Sequence, residues 1–211
     1  MKITLFGATG KVGRRILDEA LSRGHTVTAV IRDPSRASEL PAAADIRVGD
    51  VLNASEVAEL TAGQDLAISA TRPPAGQETE LVTMTRALLK GVGQTGVRLL
   101  ISGGAATLSV PNGTTVLDDP RFLSPAGHNI GRACVEQLEA CLADKHANWT
   151  YLSPPASLQP GARTGKYRLG CDELLLDEAG HSAISMEDLA VVLLDEAEEP
   201  RHQRVRFTAA Y

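Results

Sequence analysis

Residues 3–17 read ITLFGATGKVGRRIL. A short apolar run, Ile3–Phe6, leads into a turn with glycine at 7, 10 and 13, and the amphipathic stretch Lys11–Arg23 follows at once. Strand, glycine turn and helix in this order are what a dinucleotide-binding βαβ unit requires. Gly7 permits the tight turn, Gly10 lets the backbone approach a pyrophosphate, and Gly13 lets the helix pack closely on the sheet. The helix start offers free N–H groups and the positive end of its dipole to phosphates. Thr9 adds a hydroxyl donor, Lys11 a cation, and Val12 belongs to the same cofactor-contacting turn.

Outward from that turn, β-branched runs alternate with helical periodicity. The pattern predicts strands over Lys2–Phe6, Thr26–Ile31, Asp45–Val48, Leu66–Ala70, Val97–Ile101 and Trp149–Leu152. Helices are predicted over Lys11–Arg23, Ala54–Leu60, Glu78–Gly91 and Gly131–Ala143, with Gly24, Gly63 and Gly96 as left-handed caps. Most of the strands are apolar on both faces, as parallel strands covered by helices on either side must be. The fold class expected is a doubly wound, mostly parallel α/β sheet, Rossmann-like, in one domain with a small C-terminal extension. In that extension Pro154, Pro155 and Pro160 exclude a long element. Short strands at Gly165–Leu169 and Glu173–Leu176, a helix Met186–Ala197 capped by Ser185 and a strand Arg204–Ala209 are expected. Gly103–Asn129 is a long unpatterned stretch after a strand end, the usual place of an active-site loop.

The 211 residues suffice for one sizeable core. At 43% hydrophobic and 22% charged, the composition is that of a soluble globular protein. A net charge of -5 argues against nucleic acid as the main partner. No apolar run approaches the ~20 residues that span a bilayer, and no signal-peptide layout precedes Ile3, so no membrane and a cytoplasmic location are expected. Cys134, Cys141 and Cys171 lack metal spacing; Cys134 and Cys141 would stand roughly 10 Å apart on a helix, too far for a disulfide. All three are expected as small apolar core residues, and the five scattered histidines predict no metal site.

The end of the second strand, TAVIRDPSR, bears on the cofactor. NAD binders place an acid there for the ribose hydroxyls, NADP binders an arginine for the 2′-phosphate. Arg32 closes the strand and Arg36 follows one turn later, which favours NADP(H) over NAD(H). Asp33 is the alternative, a carboxylate for the ribose. Further strand ends should border the cofactor: Asp50 and Val51 at the adenine, Ala70, Thr71 and Arg72 at the ribose, Ser102 and Gly103, then Ser153 and Pro154 beside the nicotinamide.

GATGKVG, VIRDPSR, ISGGA and WTYLSPPA together resemble the atypical short-chain dehydrogenases/reductases, closest to the NmrA-like group and the branch containing biliverdin reductase B, or flavin reductase. The resemblance spans nearly the whole chain, including PGARTGKYRLG and ISMEDLA. It implies NADP(H) binding at the positions above and no particular reaction, since the group includes reductases and nucleotide-binding regulators. The family's usual Tyr with Lys four residues on is missing: Tyr151, Tyr167 and Tyr211 are the only tyrosines, and none has that lysine. The helix GHNIGRACVEQLEACL contains no tyrosine. Ser102 matches the family serine near the nicotinamide, and Ala156 replaces a histidine of the biliverdin-reductase branch. His128, with Arg132 one turn on, is the remaining acid candidate. The expectation is an NADPH-dependent reductase of a small, conjugated acceptor (flavin, quinone or tetrapyrrole), acting as a monomer or small homo-oligomer. The alternatives are a non-catalytic NADP(H) sensor and an epimerase- or dehydratase-like enzyme.

Overall fold

β1 (Lys2–Phe6) runs straight into the glycine turn and α1 (Lys11–Ser22), and later strands pair with it along both of its edges. The computed structural model describes residues 1–211. The chain continues through β2 (Thr26–Ile31), β3 (Asp45–Val48), α2 (Ala54–Thr61), β4 (Leu66–Ser69), α3 (Glu80–Thr95), β5 (Arg98–Ser102) and α4 (His128–Ala143). It then forms β6 (Trp149–Ser153), β7 (Ser157–Gln159), β8 (Arg168–Gly170), β9 (Ala183–Ser185), α5 (Met186–Glu198) and β10 (Arg206–Ala210). One eight-stranded sheet has the order β3-β2-β1-β4-β5-β6-β10-β8, parallel except for β8, which pairs antiparallel with β10. Strand order reverses between β2-β1 and β4-β5. This is the switch point at whose carboxyl ends such sheets bind ligands.

Each face of the sheet has its own core. Ile3, Leu5, Leu100 and Phe207 pack with Ile16 and Leu17 of α1 and Leu189 and Leu193 of α5. Phe6, Leu99, Trp149 and Tyr151 pack on the other side with Leu88 and Val92 of α3 and Leu138 and Cys141 of α4. Apolar residues on both faces therefore follow from helices on both faces.

The elements expected as far as β6 are present, several with shifted ends. α3 continues to Thr95 and is capped by Gly96 at φ +73°. Gly91 does not end it: a Cβ there would stand 2.5 Å from Val57 Cγ1, so this glycine is where α2 crosses α3. α4 starts at His128, three residues before the expected Gly131. Ser185 caps α5 as expected, its hydroxyl accepting from the Asp188 amide.

The C-terminal extension departs more. Glu173–Leu176 is not a strand; Glu173 makes one isolated bridge to Ser109. β7 and β9 pair parallel in a separate small sheet that periodicity did not reveal, because three-residue strands carry too little pattern. Gly103–Asn129 is not structureless. Leu108, Val110 and Val116 bury a satellite core with Leu174, which Glu173–Leu176 supplies by packing instead of pairing. Cys171 is exposed, against the expectation of a core residue, while Cys134 is half-buried and Cys141 buried. No helix is long and apolar enough to cross a membrane.

Candidate functional site

The glycine turn sits where β1 meets β4, and backbone crowding decides its residues. Gly7 has φ +87°, and a Cβ on it would lie 2.6 Å from the Ala70 carbonyl oxygen. A Cβ on Gly13 would lie 2.0 Å from the Gly7 oxygen, so α1 rests directly on the turn. Gly10 is different. It is exposed, and the nearest atom to a Cβ there is the Gly7 oxygen at 3.2 Å. Its own amide donates to that oxygen at 3.0 Å and closes the turn. The amides of Thr9, Lys11, Val12 and Gly13 donate to no acceptor in the chain. Free amides at a helix start beside an open glycine fit a pyrophosphate group. Lys11 is exposed beside them.

At the end of β2, Arg32 is exposed and pairs with no carboxylate. Asp33 faces its own chain: Oδ1 accepts from the Ser35 amide at 2.9 Å and the Ser35 hydroxyl at 2.7 Å, capping the 3-10 turn Pro34–Glu39. The Ser35 hydroxyl and amide together hold the Asp33 carboxyl below its ordinary range. Arg36 reaches back to the glycine turn, donating to Thr9 Oγ1 at 3.0 Å and to the Thr9 carbonyl at 3.2 Å. Its other edge pairs with Glu39 at 2.7 Å, a residue that the sequence reading missed although the i, i+3 spacing was visible.

The remaining strand ends line up along the same edge. Asp50 Oδ1 accepts from the Leu52 amide, and the Asp50 amide donates to Glu56 of α2. Val51 is half-buried against the core beneath it. The Thr71 hydroxyl shares a 3.0 Å hydrogen bond with the Ser69 hydroxyl, and Arg72 is exposed. Ser102 is half-buried at the end of β5, and its hydroxyl has no partner in the chain. Ser153 and Pro154 are buried at the end of β6. The Ser153 hydroxyl lacks a partner, and its carbonyl accepts from Thr208.

Behind Ser102, Tyr151 and Gln137 tie the end of β5 to α4. A Cβ on Gly103 would collide with the Tyr151 ring at 1.9 Å. The Tyr151 hydroxyl accepts from the Gly104 amide at 3.0 Å and donates to Gln137 Oε1 at 3.0 Å. Gln137 Nε2 in turn donates to Thr85. Burial pushes the Tyr151 phenol well above its ordinary range. The other two phenols are also engaged, Tyr167 donating to Asp195 and Tyr211 to Asp188 at 2.7 Å. Cys134 lies against Gly104, and burial pushes its thiol up to about 11.

His128 is exposed at the first position of α4 and lines a cavity of about 430 Å³ with Leu117, Asp118, Pro120, Leu123 and Pro125. It precedes Cys134 by six residues, about 9 Å along the helix axis, and so stands off from the Ser102–Gly104 edge. A second cavity of about 300 Å³, among Tyr167, Asp195, Glu196 and Arg201, opens at the amino ends of the strands, away from the glycine turn.

Comparison with known proteins agrees with this geometry. A family model described as NAD(P)H-binding matches residues 7–200. The uncharacterized protein YwnB of Bacillus subtilis is 38% identical over 221 residues, covering 99% of this chain and 97% of that one. A candidate epimerase from Bacteroides thetaiotaomicron superposes with a TM-score of 0.90 at 37% identity, covering 100% of this chain and 96% of that one. A candidate NADH-flavin reductase from Streptococcus pneumoniae superposes at 0.86 with 28% identity, covering 100% and 99%. With a fingerprint turn, a switch-point crevice and a family match over nearly its full length, the chain belongs to the NAD(P)H-binding family.

Proposed function

We propose that the chain is an NADPH-dependent oxidoreductase that reduces a conjugated acceptor such as a flavin, a quinone or a linear tetrapyrrole. NADPH, when bound, supplies the hydride. The amides of Thr9 and Lys11–Gly13 hold its pyrophosphate, with Lys11 as a nearby cation, and Arg32 pairs with the 2′-phosphate. Asp50 and Val51 border the adenine and Ala70–Arg72 the ribose. Gly103, Ser153 and Pro154 border the nicotinamide, and Ser102 orients the acceptor or a water.

The observation that carries the choice of acceptor is the engagement of every tyrosine hydroxyl within the chain. A simple ketone needs an acid at the developing alkoxide, and no phenol is free to be that acid. A conjugated acceptor delocalises the incoming charge and draws its proton from solvent. The S. pneumoniae relative described as a candidate NADH-flavin reductase supports the same reading. Arg72–Gln77, Gly103–Asn129 and Ala156–Arg163 are the segments that would shape the acceptor pocket, with His128 the remaining side-chain acid on its rim. The chain acts on a small molecule in the cytoplasm, as a monomer or small homo-oligomer.

The lack of a free phenol equally favours a second reading, a sensor that binds NADP(H) without turnover. Steady-state NADPH oxidation against flavins, quinones, linear tetrapyrroles and simple ketones separates them. Turnover with conjugated acceptors alone is expected. Fast ketone reduction would refute the mechanism, and tight NADPH binding without any turnover would favour the sensor.

A further inference from the structure

The Arg36 guanidinium is already occupied. Its Nε and Nη2 pair with the two carboxylate oxygens of Glu39 at 2.9 and 2.7 Å, a bidentate fork. Its opposite edge donates twice to Thr9 of the glycine turn. Four of its five N–H groups are thereby committed. Glu39 is held as well as holding: its backbone carbonyl accepts from Arg14 Nη1, and Arg14 is paired with Asp18. The side chains of Arg36 and Glu39 are 43% and 50% exposed, so a ligand entering here meets the pair directly.

This pair stands between the glycine turn and the end of β2, where a dinucleotide's adenosine ribose lies in such sheets. Of the arginines in this corner, Arg14 pairs with Asp18 and Arg36 with Glu39, while Asp33 is turned onto Ser35 and Arg32 pairs with no carboxylate. An arginine beside a 2′-phosphate favours NADP(H) only in so far as its charge is uncompensated.

We propose that Glu39 sets the cofactor selectivity of this chain, by occupying the face of Arg36 that a 2′-phosphate would take and by opposing the phosphate with its own charge. The proposal rests on the reading of the β2 end as the ribose site. Arg32 alone then meets the phosphate, and Glu39 keeps the preference for NADPH over NADH modest. Arg36 is chiefly the brace that ties the 3-10 turn to Thr9.

Calorimetric titration of the full chain with NADPH, NADH, 2′,5′-ADP and 5′-AMP tests this. Glu39→Gln keeps an acceptor for Arg36 and removes the charge. It should tighten NADPH and 2′,5′-ADP about fivefold and leave NADH and 5′-AMP within about twofold, as expected for one charge a few ångströms from a phosphate near water. The gain should shrink as salt is raised, because the groups are exposed. Unchanged NADPH affinity, or an equal shift for all four ligands, overturns the proposal. Arg32→Ala in the parent isolates the underlying reading. If it weakens NADPH while Glu39→Gln does nothing, only the role of Glu39 fails. If it leaves NADPH binding intact, or the parent binds neither cofactor, the ribose site is wrong and the proposal falls with it.

Discussion

Gly10→Val separates the binding role of the glycine turn from its folding role. The Gly10 backbone is extended at φ -76°, ψ 165°, a conformation that a β-branched residue adopts readily. The added Cβ meets the Gly7 oxygen at 3.2 Å and otherwise reaches only the Ala70 oxygen at 4.0 Å, so a shift of a few tenths of an ångström accommodates it. Replacing glycine also removes about 0.4–1 kcal/mol of unfolded-state entropy, which offsets that crowding. Melting without cofactor should therefore stay within about 4 °C of the parent, the equivalent of about 1 kcal/mol at this size. Cofactor affinity should respond very differently. The isopropyl group projects from the exposed face of the turn and keeps a pyrophosphate away from the free amides of Thr9 and Lys11–Gly13. Loss of two charge-assisted hydrogen bonds at about 1.5–3 kcal/mol each raises Kd by at least a hundredfold. Gly13→Val is the contrasting control, because its Cβ would stand 2.0 Å from the Gly7 oxygen and must push α1 off the turn. That variant should lose stability and binding together. The assays are a thermal melt of the free protein and NADPH titration by calorimetry. Near-parental binding by Gly10→Val, or a melting point more than about 10 °C lower, would refute the argument.

Arg32→Ala should weaken NADPH by about 1–3 kcal/mol with little change for NADH, read by paired titrations. Ser102→Ala should lower kcat with conjugated acceptors more than it changes the NADPH Kd, and the reverse pattern would move Ser102 out of the acceptor site. Tyr151→Phe keeps the ring under Gly103 but leaves the Gly104 amide and Gln137 Oε1 without partners. It should cost about 1–3 kcal/mol in urea unfolding, and no measurable loss would mean that water reaches those groups. Burial pushes the Asp188 carboxyl up, but donors from Thr164, Gly165 and Tyr211 outweigh it and hold it below its ordinary range. A carboxyl lowered in the folded state contributes stability above its unfolded pKa of about 4 and loses it as pH falls through the lower, folded value. Asp188→Asn should therefore be less stable than the parent at pH 7 and show a shallower fall on acidification; parallel pH curves would count against this network.

The strand–glycine–helix opening, the run of βα units and the cap glycines are legible in the residues alone. These depend on local backbone demands and on burial period, both written in adjacent residues: Gly96 at φ +73° ends α3 as its place after a helical run predicts. The NAD(P)H-binding identity was legible for the same reason, since the turn that cradles a phosphate is contiguous. The assembled fold settles the fate of side chains whose partners are distant in sequence or hidden by a three-residue strand. Tyr151 reads as an alternating core residue, yet its phenol ties Gly104, 47 residues away, to Gln137. Arg36 reads as a free cation for a phosphate, but it spans to Thr9, 27 residues back, and carries Glu39 on its other edge. Leu174 joins a satellite core with Leu108 and Val116 across a gap that no periodicity bridges. A local pattern fixes what the backbone does, because φ, ψ and burial period are properties of neighbours; which donor meets which acceptor depends on strand order and helix placement, and these exist only once the sheet has assembled.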